Sequence, residues 1–73
     1  NLNYKFDIIF LDPPYKEKSI KELFLMIFNN NLLNKNGVII LHRKKNIDDS
    51  FPEDFIKVEE KTYGISKIMF FQL

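Results

Sequence analysis

The stretch Phe6–Ser19 reads FDIIFLDPPYKEKS, and its interpretation decides the fold. Phe6 to Leu11 is apolar throughout except for Asp7, and it is rich in Ile and Phe. A run without alternation is the pattern of a strand covered on both faces, as in the middle of a parallel sheet. Asp12, Pro13, Pro14 and Tyr15 end it. Each proline lacks an N–H and fixes φ at about −65°. Asp12 and Pro13 each precede a proline, which pushes both toward extended geometry. The chain therefore leaves the sheet stiff and extended, in a loop from Asp12 to Lys18 whose carbonyls have no ladder partner.

Working outward, Ser19 with Glu22 three residues on predicts a capping box. Ile20, Leu23, Phe24, Ile27 and Phe28 follow at helical spacing, so one apolar face of an amphipathic helix is expected, with Phe24 and Phe28 in the core. Three asparagines, Asn29 to Asn31, weaken the helix, and its end is predicted near Leu32 or Leu33. Asn34 to Gly37 read as a turn and Val38 to Leu41 as a second buried strand. His42 to Lys45 are expected to carry the chain into solvent. Asn46 to Asp54 form a polar loop. Phe55 to Thr62 and Ser66 to Leu73 read as two strands joined through Tyr63-Gly64, a hairpin. The predicted order is a parallel βαβ unit, right-handed by rule, followed by an antiparallel hairpin.

The chain has 73 residues, enough for one domain, and domains this short bury only roughly 60% of their unfolded surface. A hydrophobic fraction of 45% with eight phenylalanines supplies a core and excludes disorder. A net charge of +1 gives no whole-chain field toward nucleic acid or membrane. The absence of cysteine excludes disulfides and a thiolate zinc site, and no metal is expected. No apolar run approaches the roughly 20 residues that span a bilayer, and no leader pattern opens the sequence. A cytoplasmic location without membrane association follows as the expectation. The sequence starts at Asn1 rather than Met, and it reaches a buried-looking strand within a few residues. It is therefore expected to be a piece of a longer chain.

A lone Asp-Pro-Pro is ordinarily a turn. Here it follows a buried strand and precedes a helix, and open parallel sheets bind ligands beyond the carboxyl ends of their strands. Asp12 and the Pro13 carbonyl form a rigid pair of acceptors, with the Tyr15 ring beside them. That array suits a flat group bearing NH₂, such as the exocyclic amine of a nucleobase. Accepting both amine hydrogens favours a pyramidal nitrogen with its lone pair aimed outward. Stacking on Tyr15, worth roughly 1–3 kcal/mol, offsets part of the cost of unstacking the base. Positioning and electrostatics carry such chemistry without a strong base.

FDIIFLDPPY resembles the Asp/Asn/Ser-Pro-Pro-aromatic motif of Rossmann-like, S-adenosyl-L-methionine-dependent amino-methyltransferases. The helix, NLLNKNGVIILHRKK and the hairpin through KTYGISKIMFF are similar to the C-terminal half of the RsmD family, along nearly the whole chain. That resemblance implies methylation of the exocyclic N2 amine of a guanine in 16S ribosomal RNA, with ribosomal RNA or the small ribosomal subunit as partner. It implies a fold class as well: α/β, a partial class I methyltransferase sheet without its cofactor-binding half. In the class order 3-2-1-4-5-7-6 this chain would supply strands four to seven. Residues 1–73 would be the C-terminal part of a single methyltransferase domain.

On this reading the catalytic residues are Asp12, Pro13, Pro14 and Tyr15, with Asp12, Tyr15, Lys16 and Lys18 binding substrate. The S-adenosyl-L-methionine site, a Gly-rich loop and an acidic ribose ligand, is expected upstream of Asn1, so the isolated chain is expected to be inactive. Ile65-Ser66 departs from the family's Lys followed by Ser or Thr. Two alternatives stay open: a piece of a DNA adenine-N6 methyltransferase, which uses the same tetrapeptide, and a non-catalytic half-sheet that binds RNA or protein. Of the other residues, Asp7 is expected to be a hydrogen-bonded carboxylate at a strand start. His42 is expected to be an ordinary strand-exit histidine rather than a general base. Arg43, Lys44 and Lys45 read as a solvated cluster, with RNA phosphates as their other reading, and Tyr63 as packed under the hairpin. The first strand expects a neighbour the sequence lacks, and an open strand edge predicts self-association.

Overall fold

A computed structural model describes residues 4–14, 16 and 19–73. In chain order they form β1 (Phe6–Leu11), α1 (Ile20–Asn29), β2 (Leu33–Lys44), β3 (Ile56–Tyr63) and β4 (Ser66–Gln72). The strands make one sheet in the order β1-β2-β4-β3. β1 and β2 are parallel, and β4 runs antiparallel to both its neighbours. This is the predicted partial Rossmann-like sheet, in which the second strand of the hairpin, not the first, lies against β2.

One face of the sheet carries the core. Ile39 and Leu41 of β2 and Met69 and Phe71 of β4 alternate inward and are almost fully buried, the period-2 pattern of a half-covered sheet. Ile20, Phe24 and Ile27 of α1 pack down on them. Phe28, expected in the core, is 41% exposed. It lies on the flank of the apolar stripe, with its ring 6.2 Å from that of Phe55.

The start and end of α1 differ from expectation. Ser19 begins the helix through its carbonyl, which accepts from the Leu23 N–H at 3.0 Å. Its side chain makes no capping bond, so the capping box is not formed. α1 ends at Asn29, earlier than predicted. Asn31 adopts the left-handed φ of 54°, its N–H reaches the Phe28 carbonyl, and the Leu32 N–H reaches Ile27. That pair of bonds is a Schellman motif with Asn at the left-handed position.

β2 extends beyond the predicted Val38–Leu41 at both ends. At its start Phe6 faces Leu33 and Ile8 faces Val38, so the predicted turn, Asn34–Gly37, becomes a bulge within the strand. Asn36 has φ 66° there, and a Cβ on Gly37 would sit 2.8 Å from the Asn34 carbonyl. Asp7 accepts a hydrogen bond from Asn34 Nδ2 at 2.9 Å, as expected of a carboxylate at a strand start. At the other end pairing with β4 continues to Lys44 opposite Ser66.

β1 is an edge strand covered on one face. Ile9 and Leu11 pack toward α1, while Ile8 and Phe10 are 63% and 59% exposed. The expectation of cover on both faces therefore does not hold within these residues. No helix among the described residues is long and apolar enough to cross a membrane.

Candidate functional site

β1 delivers Asp12 and Pro13 at its carboxyl end, where the register Leu11 to Leu41 places Asp12 beside His42. His42 Nδ1 lies 3.0 Å from Asp12 Oδ1, both side chains being partly exposed. With its proton on Nδ1, His42 donates to that oxygen and leaves the second carboxylate oxygen for another donor. One residue further along β2, on the opposite face of the sheet, Arg43 is buried. Its Nη1 donates to the Pro14 carbonyl at 3.1 Å, and its Nε and Nη2 donate to the Asp49 carboxylate at 2.8 and 3.0 Å. The Asp49 side chain is also buried. A fork against a carboxylate is the strong form of an ion pair.

β4 supplies the remaining wall. Its antiparallel pairing with β2 brings the hairpin turn back to this end of the sheet, where Lys45 N–H donates to the Ile65 carbonyl at 2.7 Å. The result is an open cleft of about 320 Å³ lined by Asp12, Pro13, His42, Arg43, Lys44, Ile65 and Ser66. Small-molecule sites start at about that size, roughly 300–1,000 Å³.

Of the residues expected at the site, Asp12 and Pro13 are brought together in this cleft, Pro14 is anchored behind them, and Lys16 is exposed in the turn that follows. Tyr15 and Lys18 lie outside the described residues. Two expectations need correction. Arg43 does not belong to a solvated cluster, because alternation along β2 puts it on the same inward face as Ile39 and Leu41. Lys44 and Lys45 are exposed as expected. Tyr63 is 58% exposed instead of packed under the hairpin, since every residue of the edge strand β3 is exposed. Neither the His42–Asp12 contact nor the Arg43–Pro14 contact was read from the sequence. The signal for Arg43 was present in the spacing Ile39, Leu41, Arg43 with a carboxylate at Asp49. Nothing local links His42 to a residue 30 positions away. Among the described residues no group of three or more His, Asp or Glu could hold a metal ion.

Residues 1–72 match the family model described as conserved hypothetical protein 95. The chain belongs to this RsmD-like family. It is 35% identical over 66 residues to ribosomal RNA small subunit methyltransferase D of Buchnera aphidicola, covering 86% of the chain and 34% of that protein. It is 31% identical over 67 residues to the protein of the same name from Haemophilus influenzae, covering 92% and 35%. A solved structure described as a conserved hypothetical protein from Streptococcus pyogenes superposes with a TM-score of 0.81 at 29% identity, covering 96% of this chain and 44% of that one. The RsmD-like chain spans 28–35% of the length of the curated relatives it matches.

The methyl donor that the family resemblance implies does not fit the residues present. The two glycines are Gly37, packed against Leu33 within β2, and Gly64, in the hairpin turn. Neither stands in a turn after the carboxyl end of a parallel strand. The described residues offer one carboxylate oriented by an imidazole, one proline carbonyl with no hydrogen bond among them, and a cleft open to solvent.

Proposed function

We propose that residues 1–73 are the C-terminal part of a single methyltransferase domain and carry its acceptor site. The substrate is the exocyclic N2 amine of a guanine in small-subunit ribosomal RNA. The donor is S-adenosyl-L-methionine, bound by other segments of the full-length protein. The observation that carries this reading is Asp12, a carboxylate at the carboxyl end of a parallel strand, beside the Pro13 carbonyl and lining an open cleft. An aniline-like amine is a weak nucleophile because its lone pair is delocalised into the ring. Asp12 and the Pro13 carbonyl accept its two hydrogens and favour the pyramidal form, which places the lone pair outward. Fixed acceptors in a preorganised site stabilise the charge that develops there more than water does. Tyr15 stacks on the base, and Lys16 and Lys18 meet the flanking phosphates. The names of the relatives support ribosomal RNA as the partner class, and the place of action on this reading is the cytoplasm.

The test uses the full-length protein that carries this chain. Asp12→Ala abolishes methyl transfer to small-subunit RNA and leaves donor binding nearly intact. Undiminished transfer in that variant refutes the role of Asp12. Competition between ribosomal RNA and adenine-containing duplex DNA addresses the substrate, and preference for the DNA overturns the guanine assignment.

A further inference from the structure

The loop after β1 presents a mechanical problem. Pro13 and Pro14 have no N–H, so neither can be tied down by donating to the sheet. Such a segment is held only where something outside donates to its carbonyls or its side chains. The structure supplies two donors from adjacent positions of β2, residues that point to opposite faces. On one face His42 meets the Asp12 carboxylate, and on the other Arg43 meets the Pro14 carbonyl. Pro13, whose carbonyl is to accept the substrate amine, lies between the two anchored residues.

We propose that Arg43 is the positioning residue of the acceptor loop: by holding the Pro14 carbonyl from beneath, it fixes the direction of the Pro13 carbonyl and of Asp12. The proposal rests on the acceptor-site reading above. Its physical support is the burial of the guanidinium. Arg43 is 3% exposed, amid an apolar face where Ile39 and Leu41 are wholly buried. Burying an ion pair is weak support for stability, since apolar residues of similar volume often serve as well. A hydrophobic residue at position 43 would fill the space but could not donate to Pro14. Arg43 serves both partners with one planar group. Two of its nitrogens are locked by Asp49, which fixes the plane, and a third is then aimed at the loop. Lysine carries the charge but has no fork to divide between two partners.

The experiment compares wild type, Arg43→Lys and Asp49→Asn in the full-length protein that carries this chain. It has two readouts. The first is tryptic cleavage after Lys16, in the loop, relative to cleavage after Lys61, in the exposed edge strand β3, quantified by mass spectrometry. The second is the split between kcat and KM for small-subunit RNA. Release of a charge-assisted hydrogen bond raises cleavage after Lys16 by about tenfold while cleavage after Lys61 stays within about twofold. Misplacement of the acceptors lowers kcat by about 10- to 100-fold with the RNA KM within about threefold.

A parallel rise at both cleavage sites makes Arg43 a purely structural residue and overturns the proposal, as does an unchanged cleavage ratio. Should Arg43→Lys not fold, Asp49→Asn decides by the same ratio, because it preserves shape while removing the charge and one of the two oxygens that lock the guanidinium. A wild-type protein that methylates no ribosomal RNA refutes the proposed function, and the cleavage ratio still decides whether Arg43 holds the loop.

Discussion

Phe24 is the side chain on which the core depends most, and replacing it has a calculable cost. It is completely buried, and its ring meets Phe71, Phe55 and Phe51 at 4.9, 5.1 and 5.2 Å in tilted or edge-on arrangements. Truncating a buried Phe to Ala costs about 3–5 kcal/mol. Favourably inclined ring pairs each add about 0.5–1.5 kcal/mol beyond burial, so two edge-on pairs and one tilted pair place Phe24→Ala at the upper end, about 5 kcal/mol. At about 0.05–0.15 kcal/mol per residue, 73 residues folding by themselves have at most about 4–11 kcal/mol in total. The alanine variant therefore lies at the edge of unfolding. Phe24→Leu keeps most of the volume and loses the ring pairs, for an expected cost of about 2 kcal/mol. Urea unfolding followed by far-UV circular dichroism measures it, at two protein concentrations so that association is separated from unfolding. A Leu variant within about 0.5 kcal/mol of wild type at unchanged m-value refutes the assignment of Phe24 as the core's centre.

Three further outcomes are expected. Gly64 has φ +55° and no atom within 4 Å of a would-be Cβ, so Gly64→Ala suffers only backbone strain of about 1–2 kcal/mol, visible as a lower urea midpoint, and Gly64→Asn costs less. The hydrogen bond from Lys57 Nζ, at 2.7 Å, lowers the Glu60 carboxyl below its ordinary value near 4.5. A depressed folded value means the contribution is present above the unfolded value and is lost as pH falls through the folded one. Lys57→Ala should return the Glu60 titration, followed by NMR, toward its ordinary value, and an unmoved titration contradicts the assignment. The open edge of β1 with Ile8 and Phe10 exposed predicts concentration-dependent association of the isolated chain. Ile8→Lys should weaken that association in sedimentation without loss of helix signal, and a wild-type monomer at every concentration contradicts it.

Legibility from sequence followed the range of the interactions. The apolar run of β1, the helical spacing from Ile20 and the turn at Gly64 are local patterns, and each became the element it predicted. The end of α1 was misplaced because a left-handed Asn31 closes the helix within one turn, an outcome that composition alone favours only weakly. β2 proved longer than its apolar stretch because hydrogen bonds from β4, not hydrophobicity, carry it through His42, Arg43 and Lys44. The end of β1 before Asp12 was legible because two consecutive prolines constrain the backbone whatever surrounds them. The partners of the loop that follows were not, since His42 and Arg43 reach it across the gap between two strands, and only the register decides which residues meet.

The strand order explains why a site at the end of β1 is built mostly from elsewhere. Had β3 paired antiparallel with β2, the turn at Gly64 would lie at the far end of the sheet, by Leu33. With β4 in that place, Ser66 stands opposite Lys44 and the turn borders Asp12 instead. The same arrangement forces residues 45–55 to run from the carboxyl end of β2 to the opposite end of the sheet, where Ile56 pairs with Gln72. They cross on the core face, where Phe51 and Phe55 pack on Phe24. Arg43 and Lys67, neighbours across β2 and β4, both donate to this crossing segment, Arg43 to Asp49 and Lys67 to the Ile47 carbonyl at 2.6 Å. Asp49 is thus at hand for Arg43 because the hairpin is inserted in this order. Damage to the phenylalanine cluster should consequently reach the loop after β1 through Asp49 and Arg43, ahead of any loss of the strands themselves.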